Sequence, residues 1–71
     1  MRKRIEVRKF AKNIKLARTE LDLTQTQLAQ RINSKQKSIS RYETGAWLPS
    51  LKTLVKIAKA LKKRAGHFLD E

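Results

Sequence analysis

Four polar side chains, Gln36, Lys37, Ser40 and Arg41, recur at helical spacing in the stretch SKQKSISRYETG, and no acid stands among them. The chemistry they offer is directional hydrogen bonding. A glutamine amide matches the adenine edge in the DNA major groove, Arg or Lys matches guanine, and Ser serves several bases. A face that only meets water usually mixes both signs of charge, so the set is read as base-reading. The inventory speaks against catalysis. His67 is the sole histidine, Cys is absent, and Glu6, Glu20, Asp22, Glu43, Asp70 and Glu71 are scattered. No nucleophile, base and orienting group can be assembled from these. A lone histidine does not make a metal site, which needs three or four ligands. Gly45 and Gly66 are isolated, so there is no glycine-rich phosphate loop. The expectation is a non-enzyme without metal or cofactor.

Charge points the same way. Eighteen Lys and Arg against six Asp and Glu give a net charge of +12, suited to a polyanion, with nucleic acid the first candidate and a membrane surface the second. No apolar run has the length of a spanning helix, and Met1 leads into RKRIEVRKF rather than an apolar secretory region. A soluble cytoplasmic protein is expected. At 71 residues the chain is one domain near the small end of what a single core can hold. Without Cys its stability must come from helix packing, aided by dimerisation.

The elements that must position the polar set follow from spacing. Thr24 and Gln27 form a capping box, which starts a helix at Gln25. Leu28, Ala29 and Ile32 give that helix one apolar stripe, and Asn33 tolerates the left-handed conformation that stops it. Ser34 and Lys35 open the next helix, which buries Ile39, Tyr42 and Glu43 and ends at Gly45. Upstream, Phe10, Ile14, Ala17 and Leu21 line a first helix, and Leu23 precedes the Thr24 cap as a hydrophobic staple against Leu28. Downstream, Trp47 in the loop AWLP is expected to lie over the core near Leu48 and Leu51, with an indole contact to sugar-phosphate as the other reading. Ser50 caps a helix whose inner stripe is Leu51, Leu54, Val55, Ala58 and Leu61, while Lys52, Lys56, Lys59, Lys62 and Lys63 face outward. Phe68 and Leu69 close the chain's apolar pattern, either capping the core or meeting a partner's copy across a two-fold axis. Residues 1–9 read as a basic N-terminal arm, a mobile tail or an extension of the first helix, and residues 10–71 as the domain.

The order of these pieces resembles the helix-turn-helix family of phage repressors, Cro proteins and xenobiotic-response-element-type bacterial regulators. The resemblance runs from about Phe10 to Leu69. It is carried by IKLAR at 14–18, LTQTQLAQRI at 23–32, SISRYETG at 38–45 and LPSLKTLVKIAKAL at 48–61. It implies an all-α, five-helix bundle whose third helix lies in the major groove. It also implies base contacts from Gln36, Lys37 and Arg41, and a phosphate clamp at Thr24 and Gln25, to which Lys35 and Thr44 are added as candidate phosphate contacts. Arg18 and Glu43 match a pair that bridges the first and third helices in the family. This agrees with the placement of Glu43 on the inner stripe, where a buried carboxylate needs a cation. The chain departs from the family pattern at Asn33-Ser34 in the turn, at the apolar loop Ala46-Trp47-Leu48, and at Lys62-Lys63-Arg64-Ala65 after the fourth helix.

The function expected is a homodimeric, sequence-specific regulator of transcription binding double-stranded DNA, most simply a repressor on a two-fold operator. Two alternatives share the fold: the antitoxin of a toxin-antitoxin pair, with a toxin as partner, and a restriction-modification controller protein. Charge-driven binding without sequence preference is the third reading, and it leaves the capping box and the polar set unexplained.

Overall fold

Helical structure begins before Phe10. The computed structural model describes residues 7–69, and its first helix, α1, spans Val7–Glu20. Residues 1–6, most of the expected basic arm, lie outside the described residues. Helix α1 buries Phe10, Ala11, Ile14, Ala17 and Arg18. It closes with Asp22 at φ 56°, where the Asp22 amide donates to the Thr19 carbonyl and the Leu23 amide to that of Arg18. These two reverse bonds satisfy carbonyls the helix end would otherwise leave open, and they turn Leu23 into the core.

Helix α2, Gln25–Arg31, starts as its capping box requires. The Thr24 amide donates to Gln27 Oε1 at 2.8 Å, and the Gln27 amide donates to Thr24 Oγ1 at 3.0 Å. Leu28, Ala29 and the following Ile32 are buried. Asn33 takes the left-handed conformation, φ 56°, with Asn33 and Ser34 amides bonded back to Gln30 and Ala29. Ser34 therefore belongs to the end of α2. The next helix, α3, is capped by Lys35 and spans Gln36–Thr44, two residues later than spacing suggested.

Helix α4 runs over Leu51–Ala60, with Ser50 Oγ accepting from the Thr53 amide. Its inner stripe is Leu54, Ile57 and Ala58, continued by Leu61, at i, i+3, i+4 and i+7. The expected stripe is rotated from this one: Leu51 is 69% exposed and Val55 38%, while Ile57 is fully buried. Leu51 and Val55 sit at the edge of the arc, and apolarity alone did not distinguish edge from centre. Helix α5, Ala65–Leu69, is too short to persist alone and is held by Phe68, one of the most buried side chains. Phe68 is thereby engaged by the chain's own core and is not available as a dimer contact, whereas Leu69 remains partly exposed.

Five helices and no strand make up the described residues. Helix α3 packs on α1 and α2, α5 on α1 and α4, and α2 on α4. One cluster, including Phe10, Ile14, Leu28, Ile39, Ile57, Leu61 and Phe68, joins all five.

Candidate nucleic-acid interface

Helix α3 is fixed from behind. Ile39 is fully buried and Tyr42 packs against the core, so the opposite side of the helix must face solvent. Gln36, Lys37 and Arg41 are exposed there and Ser40 is half-buried, which brings the four expected base-reading residues onto one outward face. Glu43, the only acid of α3, points inward: its carboxylate side chain is 3% exposed.

That carboxylate is the centre of a hydrogen-bond chain. Arg18 Nε donates to Glu43 Oε2 at 2.6 Å and Arg18 Nη2 to Glu43 Oε1 at 3.0 Å, while Arg18 Nη1 donates to the Leu23 carbonyl at 2.6 Å. The Glu43 hydrogen bond raises the Arg18 pKa above its ordinary value, against the opposing effect of burial, so the guanidinium stays charged. Gln25 Nε2 then donates to Glu43 Oε1 at 3.1 Å, and Gln36 Nε2 donates to Gln25 Oε1 at 2.6 Å. A buried ion pair is thus linked through Gln25 on α2 to Gln36 at the start of α3. Sequence spacing pairs Arg18 with Glu43 only through the family resemblance, and it contains no signal for the two glutamine bonds, which span 18 and 11 residues.

The candidate phosphate residues differ in what their polar atoms are doing. Lys35 is exposed and makes no side-chain cap bond. The Thr24 hydroxyl accepts from the Gln27 amide, which leaves its proton for another acceptor. The Thr44 hydroxyl donates to the Arg41 carbonyl at 3.2 Å, so its proton is already engaged.

Trp47 does not cover the core. It is 48% exposed, its amide donates to the Arg41 carbonyl, and the Arg41 guanidinium carbon lies 4.4 Å from the centroid of its ring. Gly45, at φ 83°, makes the turn that brings the loop back to α3. Among the described residues, no group of three or more His, Cys, Asp or Glu could hold a metal ion, and no helix is long and apolar enough to cross a membrane.

Known proteins resemble this chain in sequence and in fold. Multiprotein-bridging factor 1a of Arabidopsis thaliana is 48% identical over 50 residues, covering 70% of this chain and 35% of that protein, so the chain spans about a third of this relative's length. The P22 c2 repressor, solved with a synthetic operator, superposes with a TM-score of 0.82 at 23% identity, covering 84% of this chain and 91% of that one. PlcR of Bacillus thuringiensis, solved with the peptide PapR7 and DNA, superposes with a TM-score of 0.80 at 39% identity, covering 86% of this chain and 21% of that one. The sequence model described as Helix-turn-helix matches residues 14–68, and the chain belongs to that family of phage-repressor and Cro-like proteins.

Proposed function

We propose that the chain is a sequence-specific DNA-binding regulator of transcription that places α3 in the major groove and works as a homodimer, most simply as a repressor occupying its operator. The observation that carries this reading is the outward face of α3, where exposed Gln36, Lys37 and Arg41 stand beside Ser40 and the one acid of the helix is turned inward. Gln36, Lys37, Ser40 and Arg41 read base edges, and Thr24, Gln25 and Lys35 meet backbone phosphates. The net charge of +12 adds the sequence-independent attraction that phosphate neutralisation provides. A dimer reading a two-fold site would place its half-sites about one helical turn, roughly 34 Å, apart.

Selection of binding sites from random duplexes tests this. A palindromic site should emerge, and Gln36→Ala or Arg41→Ala should cost about 1–3 kcal/mol on it while leaving a scrambled duplex nearly unaffected. Equal losses on both duplexes would overturn the assignment.

The similarity to a multiprotein-bridging factor favours a second reading, in which the domain also docks other proteins. The exposed Leu51 and Val55 would then meet a different chain. A chain that selects DNA yet sediments as a monomer would favour it.

A further inference from the structure

We infer that Trp47 is a positioning residue for Arg41: its indole holds the guanidinium by one face and so sets how strongly Arg41 discriminates at the base it reads. This rests on the base-reading role proposed for Arg41. Two ties act on the same residue. The Trp47 amide donates to the Arg41 carbonyl at 3.2 Å, and the Arg41 guanidinium carbon lies over the indole ring, 4.4 Å from its centroid. The left-handed turn at Gly45 delivers both. Core packing does not account for the tryptophan, which is about half exposed and lies outside the buried cluster.

The chemistry of the guanidinium makes the stack productive. Its N–H donors lie in its plane and its faces carry none, so an aromatic ring on one face leaves the donor edge open for a guanine. Arginine otherwise loses considerable rotamer freedom when it docks, and a side chain already held loses less. Arg41 is the reading residue furthest along α3, and no protein acceptor fixes its side chain among the described residues. The loop ring takes that part.

A double-mutant cycle separates this from a simple backbone contact. Wild type, Trp47→Phe, Trp47→Ala, Arg41→Ala and the double Ala variant are titrated against the duplex recovered by wild type from a random library and against its scrambled counterpart. Trp47→Ala should weaken the recovered duplex roughly two- to fivefold, the size of an exposed cation–π contact. It should leave the scrambled duplex unchanged and have no further effect in the Arg41→Ala background. Trp47→Phe should keep most of the affinity. Trp47 is the only tryptophan, so its emission in the free protein should shift in Arg41→Ala, and an unchanged spectrum overturns the stack itself. Additive losses, equal losses on both duplexes, or tighter binding by Trp47→Ala overturn the inference. If Arg41→Ala is not selective, the base-reading proposal fails together with it. If Arg41→Ala is selective and Trp47→Ala is silent, only the role of Trp47 fails.

Discussion

Arg18 on α1 and Glu43 on α3 meet through two hydrogen bonds, 2.6 and 3.0 Å long, with side chains only 11% and 3% exposed. This pair fixes α3 to the rest of the bundle and turns the one acid of α3 away from its outward face. Desolvation makes such a pair asymmetric. Removing both partners leaves nothing charged behind, whereas removing one strands a buried charge.

Arg18→Ala should therefore destabilise the fold by about 3–5 kcal/mol in urea unfolding. Arg18→Met combined with Glu43→Leu should recover much of that loss, with the Leu23 carbonyl left short of a donor and the Gln25 amide short of its Glu43 acceptor. The folded-state pKa of Arg18 is raised, so its contribution is fully present below the unfolded value and is lost only as pH rises beyond it into strong alkali. Between pH 6 and 9, as rough limits of routine handling, the difference between wild type and the Arg18→Met, Glu43→Leu variant, which strands no carboxylate, should stay flat. A steep change there would contradict the assignment.

Backbone conformation gives two substitutions of opposite sign. Lys62 sits at φ 60°, where a side chain costs about 1–2 kcal/mol. Lys62→Gly removes that cost but gives the unfolded chain extra freedom worth about 0.4–1 kcal/mol, so a net gain of about 0.5–1 kcal/mol is expected. Gly45→Ala should lose about 1–2 kcal/mol, because Gly45 is at φ 83° and a Cβ there would lie 3.3 Å from Val7 Cγ1. Thermal melts of the two variants should move in opposite directions.

The helices that carry the site were legible in the sequence because their signals are local. The Thr24–Gln27 box, the stop at Asn33 and the Gly45 terminus each depend on a few neighbouring residues, and each is present. The outward face of α3 followed from one helical period counted from Ile39. Misreadings arose where apolarity had to be assigned to a particular neighbour. By spacing Leu51 and Val55 belong to the core stripe and are exposed, Ile57 lies outside that stripe and is fully buried, and Trp47 meets an arginine rather than the core. The Gln25 bonds were invisible for a related reason: uncharged amides have no obligatory partner, so only the three-dimensional approach of α2 to α3 reveals them.

The exposed edge of α4 gives a test of the proposed dimer. Leu51 and Val55 are one turn apart on a face the core does not use, and Leu69 of α5, a helix that packs on α4, is also partly exposed. Leu51→Lys should leave the melting temperature within a few degrees of wild type, since surface substitutions usually change stability by about 0.5 kcal/mol or less. The same variant should shift sedimentation from dimer to monomer and weaken binding to a two-fold duplex far more than to a half-site. An unchanged sedimentation profile would remove this face from the interface.

Gln25 should influence base selection without needing to touch a base. Its amide is held at one end by Glu43 Oε1, 3.1 Å away, and its oxygen accepts from Gln36 Nε2 at 2.6 Å, which orients the Gln36 amide plane. One N–H of Gln36 is occupied in that bond. The other N–H and the carbonyl oxygen are left, and these are the donor and acceptor needed for bidentate contact with adenine N7 and N6. Gln25→Ala frees the Gln36 side chain to rotate and should reduce the adenine preference proposed for it by about 1 kcal/mol, the net worth of one hydrogen bond. Gln36→Ala should abolish that preference, and adding Gln25→Ala should not change it further. The loss in Gln25→Ala should be confined to one base position per half-site in a panel of single-substitution duplexes. A uniform loss across the panel would instead assign Gln25 to phosphate contact alone.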